Sequence, residues 1–186
     1  FASEGKYGGH LIAAFSADPG GFDPAMGPSG MSHVVIEQVY GTLLNLDHNA
    51  VPYAGLAESW EQSEDGLKWT FKLRPDLKFH NGEALTAEDV VFTFNRIMPE
   101  DSGYAYRSQI ETIESVVAED DLTVTFNLNT VTGPFEIYMA FPGSSIVPKD
   151  LVESGHDLNA EPVGSGPFKF VSYTPRDSIK FVKNEA

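Results

Sequence analysis

Five histidines, His10, His33, His48, His80 and His156, are the residues of this chain best suited to move a proton or hold a metal ion. No two of them stand at i, i+2 or i+4, so they form no preformed zinc or nickel site. There is no cysteine, which excludes disulfides, thiolate ligands and a cysteine nucleophile. A serine nucleophile is expected on a strained elbow of the G-x-S-x-G kind. The two serine–glycine clusters, Gly143-Ser144-Ser145 and Gly164-Ser165-Gly166, do not read that way. Pro19-Gly20-Gly21 and Gly27-Pro28-Ser29-Gly30 lack the Lys-Ser/Thr of a phosphate loop and suit instead a close approach of backbone to ligand. Neighbouring carboxylates such as Glu119-Asp120-Asp121 follow from an acidic composition and fit a solvated turn. His33 differs from the other histidines because it stands where a long loop enters a helix. It is either a helix-start residue or a ligand-facing side chain.

The elements that must position such residues are written in the hydrophobic period. Trp69, Phe71 and Leu73 alternate with polar residues as in a half-buried strand, and Leu77 and Phe79 resume the run after Pro75-Asp76. Asn81-Gly82 predicts a turn. Thr86 and Asp89 then resemble a capping box, with Leu85 and Val90 as its hydrophobic staple, for a helix carrying Val91, Phe94 and Ile97 that stops at Pro99. Upstream, Leu11, Ala13 and Phe15 predict a strand feeding a Gly/Pro-rich loop over 16–32. A helix capped by Ser32 follows, with Val35/Ile36, Val39/Tyr40 and Leu43/Leu44 on one face. Downstream come a hairpin (Ile113–Ala118 with Leu122–Leu128), short helices opened by Pro134 and Pro148, and strands over Phe168–Tyr173 and Ile179–Val182. The order predicts a mixed α/β fold.

Twelve basic residues against 27 acidic ones give a net charge of −15, which disfavours nucleic acid and anionic membrane surfaces. An apolar content of 41% supports a substantial core, and no apolar run approaches the roughly 20 residues that span a bilayer. The N-terminal FASEGKYGG has neither the charged nor the apolar region of a signal peptide, so an exported protein is expected to have had it removed or left out.

The block LAESWEQSEDGLKWTFKLRPDLKFHNGEALTAEDVVFTFNRI closely resembles the signature region of the family 5 extracellular solute-binding proteins, the dipeptide, oligopeptide and nickel receptors of ABC importers. PVGSGPFKFVSY, from Pro162 to Tyr173, is similar to the family's second recurrent segment. The resemblance implies a periplasmic binding protein-like fold of type II and a chain well under half the family's length. Residues 1–43 and 163–186 then fall in the first lobe, 44–162 form an inserted α/β subdomain, and the second lobe lies outside this sequence. It implies a non-enzymatic periplasmic receptor without cofactor, which captures a small peptide or peptide-like solute and passes it to the permease subunits, with no insertion into the membrane. Receptors for a nickel or haem complex, an opine or an oligosaccharide are alternatives on the same fold, and a periplasmic hydrolase is a more distant one.

By family position, the ligand-binding candidates are Phe22, Asp23, Met26, Met31, Ser32 and His33 in the loop and helix start. Tyr104, Tyr106 and Arg107 are candidates in a second loop, and Ser144 and Ser145 in a third segment. Asp23-Pro24 matches a recurrent family dipeptide and equally suits a turn. Over 142–145 some metal-chelate receptors offer an Arg where this chain has Gly and Ser, a departure that argues against an anionic chelate. The three segments are expected to lie side by side. A chain with one wall of a cleft is also expected to bind poorly alone and to leave strand edges and apolar faces exposed.

Overall fold

The computed structural model describes residues 8–26 and 29–185; the readings of FASEGKY and of Gly27-Pro28 lie outside the described residues. Helix α1 spans Gly30–Val39 and leads into a small hairpin, β1 (Leu44–Leu46) and β2 (Pro52–Ala54). Strands β3 (Ala57–Gln62) and β4 (Lys68–Leu73) precede helix α2 (Ala87–Ile97), and β5 (Ile113–Asp120) and β6 (Thr123–Leu128) form the next hairpin. Two short helices, α3 (Phe135–Tyr138) and α4 (Lys149–Glu153), come before the hairpin β7 (Phe168–Thr174) and β8 (Ser178–Lys183). The central sheet is antiparallel throughout, in the order β3-β4-β6-β5.

The predicted alternation of β4 decides which face meets the core. Trp69, Phe71 and Leu73 are buried while Lys68 and Lys72 are exposed. Helix α2 lays Val90, Phe94 and Ile97 on this sheet, and the Phe94 ring meets Phe126 of β6 edge-on at 4.8 Å. Its start follows the capping-box reading. The Asp89 carboxylate accepts from the Thr86 N–H at 2.9 Å, and its other oxygen accepts from the Lys149 N–H at 2.9 Å. One buried carboxylate thereby ties α2 to the start of α4.

A second core lies between α1 and β7–β8. Ile36, Val39 and Tyr40 pack with Val147 and Leu158, and Phe170 and Phe181 cover them from the hairpin. Phe168, Val171 and Val182 on the same hairpin remain exposed, in line with the expected apolar faces.

Four local expectations fail. The first helix does not carry Leu43 and Leu44: α1 ends at Val39, the Tyr40 backbone is already extended, and Leu44 opens β1. Residues Leu11–Phe15 are not a strand: they pair with nothing among the described residues, and Leu11 is 96% exposed. Alternation marks a chain able to line a sheet, but a strand also needs a partner for its backbone groups. The cap of α1 is Ser29, not Ser32; the Ser29 Oγ accepts the Ser32 N–H at 3.1 Å. Leu77 and Phe79 do not extend the sheet, because Asp76 takes a left-handed conformation (φ 60) and leaves only a bridge between Lys78 and Ala84. The β1–β2 hairpin was not legible, since three-residue strands carry too little periodicity.

Candidate ligand-binding site

Three chain segments far apart in sequence meet around the His33 ring. His33 lies in the first turns of α1, and its imidazole sits 5.0 Å from the Phe141 ring, edge-on, and 5.4 Å from Tyr106. Tyr106 and Phe141 close the triangle at 4.6 Å, again edge-on. All three rings are half-buried, so the cluster is a surface rather than a core. Below it, Tyr104 stacks on Tyr106 edge-on at 5.9 Å. The Tyr104 hydroxyl reaches Ser144 and presses on Gly143, where a Cβ would lie 2.7 Å from it. Neither hydroxyl gains a well-aligned hydrogen bond. Burial pushes the Tyr104 hydroxyl up to about 12. A groove of about 380 Å³ opens beside the cluster, lined among others by Glu37, Tyr53, Ile137, Phe141 and Ser145. Such a volume suits a small solute. A wider depression beside Lys72, Asp120 and Leu122 lies at a charged hairpin turn, away from all these rings.

The eleven residues named from family position divide by exposure. Met26 is 49% exposed, while Met31, His33, Tyr106 and Arg107 are partly so. Phe22, Asp23, Ser32, Tyr104, Ser144 and Ser145 are buried. Phe22 packs on Phe170 and Tyr173 of β7, and Ser32 Oγ accepts the Gly20 N–H at 3.0 Å. Arg107 is engaged too: its Nη1 donates to the Met98 carbonyl at 2.6 Å and its Nη2 lies 3.7 Å from Glu100. No cluster of three or more His, Cys, Asp or Glu suited to a metal occurs among the described residues. No helix among them is long and apolar enough to cross a membrane.

The electrostatics of the site are those of neutral rings. Burial lowers His33 below the ordinary imidazole value of 6.5, opposed by the nearby Glu37 carboxylate. His80 is lowered by burial as well, opposed by its bond to the Gly166 carbonyl and reinforced by Lys169. His80 Nε2 lies 2.9 Å from that carbonyl and donates to it, while Nδ1 accepts the Gly164 N–H at 3.4 Å, an arrangement only the neutral ring can make. Both rings are therefore expected to titrate below pH 6.5 in an NMR titration. The unfolded chain binds these protons first, so folding stability falls as the pH drops below 6.5 and levels off beneath the two folded-state values. Either imidazole titrating above pH 6.5 would contradict this account of its burial.

The sequence and fold can be placed among known proteins. The chain is 34% identical over 200 residues to di/tripeptide-binding protein 4 of Pseudomonas aeruginosa, covering 94% of this chain and 38% of that one. The periplasmic binding protein DppA of Helicobacter pylori, solved with the peptide STSA, superposes with a TM-score of 0.84 at 32% identity, over 91% of this chain and 38% of that one. AgaA of Agrobacterium tumefaciens R10, solved with agropinic acid, gives the same TM-score of 0.84 and identity of 32% over 90% of this chain and 34% of its own. The fold is thus the mixed α/β fold of type II periplasmic binding proteins, and the chain spans under two-fifths of these relatives. The model of bacterial extracellular solute-binding proteins, family 5, matches residues 51–186, and this chain belongs to that family.

Proposed function

We propose that this chain forms one wall of the binding cleft of an ABC-importer receptor that captures a peptide or peptide-like solute in the periplasm and hands it to the membrane permease. The observation that carries this reading is the joined set of half-buried rings His33, Tyr106 and Phe141, drawn from three segments and flanked by a groove. Aromatic faces offer large contact area at small entropic cost and accept varied side chains. We assign direct contact to Met26, Met31, His33 and Tyr106. Phe22, Asp23, Ser32, Tyr104, Ser144 and Ser145 support that surface from beneath, and Arg107 is held at its rim by Met98 and Glu100. The function is capture, without a nucleophile or a cofactor.

The agropinic acid complex of AgaA, which matches this chain as well as the peptide complex does, favours an opine as the second reading. Calorimetric titration separates the two. We expect the whole receptor whose cleft wall this chain forms to bind Ser-Thr-Ser-Ala or another short peptide in preference to agropinic acid. Tyr106→Ala is expected to weaken peptide binding about tenfold, the loss of roughly 1.4 kcal/mol of aromatic contact. Selective binding of agropinic acid would replace the peptide reading with the opine one. Unchanged peptide affinity in Tyr106→Ala would remove the ring cluster from the site.

A further inference from the structure

Residues 16–26 of the loop that leads into α1 form no helix or strand, yet two side chains from distant parts of the fold fix their backbone. Arg96, in the last turn of α2, forks onto the buried Asp23 carboxylate, with Nη1 at 2.9 Å from Oδ1 and Nη2 on Oδ2. Asp23 Oδ1 also accepts the Ala25 N–H at 3.0 Å. From the other side, Asn159 Oδ1 accepts the Phe22 N–H at 2.9 Å and the Asp23 N–H at 3.1 Å. The backbone is seated so closely on this amide that a Cβ at Gly21 would stand 2.7 Å from Asn159 Oδ1. The Gly20 N–H is bound in turn by Ser32 Oγ of α1 at 3.0 Å, so the held loop and the helix that carries His33 are one connected unit. A loop held by fixed, long-range hydrogen bonds loses little freedom on binding, and such preorganisation improves affinity without a contact to the ligand.

We propose that Arg96 and Asn159 are positioning residues for solute capture: they hold Gly20–Ala25, and through it the start of α1, in the arrangement that receives the ligand, without touching it. The inference rests on the capture reading above. It also gives Asp23, only 4% exposed, a part in the site without contact to the ligand. The fork geometry is specific to Arg, since a Lys ammonium cannot bind both carboxylate oxygens in plane.

Amide hydrogen exchange at Phe22, Asp23 and Ala25 reads the latch directly, because these N–H groups are its donors. In Arg96→Lys and in Asn159→Leu we expect these amides to exchange at least about tenfold faster, with the amides of α2 and the central sheet unchanged. In calorimetry the Kd for Ser-Thr-Ser-Ala should rise by the factor by which the held loop population falls. Asn159→Asp keeps the acceptor oxygen and is expected to stay within about twofold of wild type in both readouts. Wild-type exchange at the three amides in both disruptive variants overturns the proposal. So does faster exchange with an unchanged Kd, or faster exchange spread evenly over the sheet, which marks a merely structural role. If the whole wild-type receptor that contains this chain binds none of the peptides, the peptide reading fails, and agropinic acid replaces the peptide as the probe. If that fails too, the capture role falls with it, and the exchange data still decide whether the latch holds the loop.

Discussion

Phe126→Ala is expected to remove about 3–5 kcal/mol of folding stability, the range for truncating a fully buried aromatic. Phe126 sits on β6 with no exposed surface, and three rings converge on it: Phe94 of α2 at 4.8 Å, Phe71 of β4 at 5.5 Å and Phe135 of α3 at 5.6 Å. Each of those rings is itself fully buried and comes from a different element. The cavity left by the missing ring is therefore walled by elements that are fixed elsewhere. The sheet cannot collapse into it without breaking the register of β4 with β6, and α2 is anchored at its start by Asp89. Poor collapse places the cost at the upper end of the range. Urea unfolding should show a lower midpoint with an unchanged slope. Val117→Ala, on the solvent side of the same sheet and 42% exposed, is the control, expected within about 0.5 kcal/mol. A loss in Phe126→Ala no larger than in the control would mean that α2 and the sheet do not share this core.

How much of this was legible beforehand depends on the range of the interaction. The period of β4, the Thr86–Asp89 cap and the β5–β6 hairpin are each written in one short continuous stretch of sequence, and the structure follows them. The aromatic site was half legible. Tyr106 and His33 could be named from family position, but Phe141 carried no local signal, and its place became clear only when α1 brought His33 against it. The latch was not legible at all. Arg96 reads as an ordinary basic residue in the last turn of a helix, favourable there for the dipole. Its partner Asp23 is 73 residues away, and Asn159 is 136 residues from the same Asp. Asn159 sits in a polar turn whose own Asp157 bond would satisfy any local account of it. Burial of Ser32, Asp23 and Ser144 was equally hidden, because a polar residue in a Gly-rich loop gives no sign of which way it faces.

Gly164→Ala is expected to cost about 3–5 kcal/mol, and for a different reason from most glycine substitutions. A Cβ at Gly164 would lie 2.2 Å from the Val39 carbonyl oxygen, 2.8 Å from the Tyr40 ring and 2.9 Å from Tyr40 Cα. At Gly166 it would meet the Val39 carbonyl carbon at 2.6 Å and the Gln38 oxygen at 2.7 Å. Neither glycine has a positive φ, so the requirement is for space and not for conformation. The obstructing atoms are backbone at the end of α1, which cannot swing aside as a flexible side chain can. Nor can the segment retreat freely on its other face. Gly164 accepts the His80 N–H at 2.7 Å, and the Gly166 carbonyl takes His80 Nε2 at 2.9 Å and Asn184 at 3.2 Å. Moving the segment off α1 also stretches the Gly166 N–H bond to the Val39 carbonyl, now 2.8 Å. Overpacking alone costs about 1–3 kcal/mol, and the strained or broken hydrogen bonds add about 1 kcal/mol each. Two further glycines separate the causes. Gly82→Ala meets no atom within 4 Å but must hold a left-handed turn at φ 92, so a loss of about 1–2 kcal/mol is expected. Gly133→Ala meets neither constraint and should stay within about 0.5 kcal/mol of wild type. In the Gly164 variant, exchange should quicken first in the β7–β8 amides, because the hairpin that covers Ile36 and Val39 is what the added methyl displaces. A Gly164→Ala protein as stable as Gly133→Ala would show that the returning chain does not press on α1 in this way.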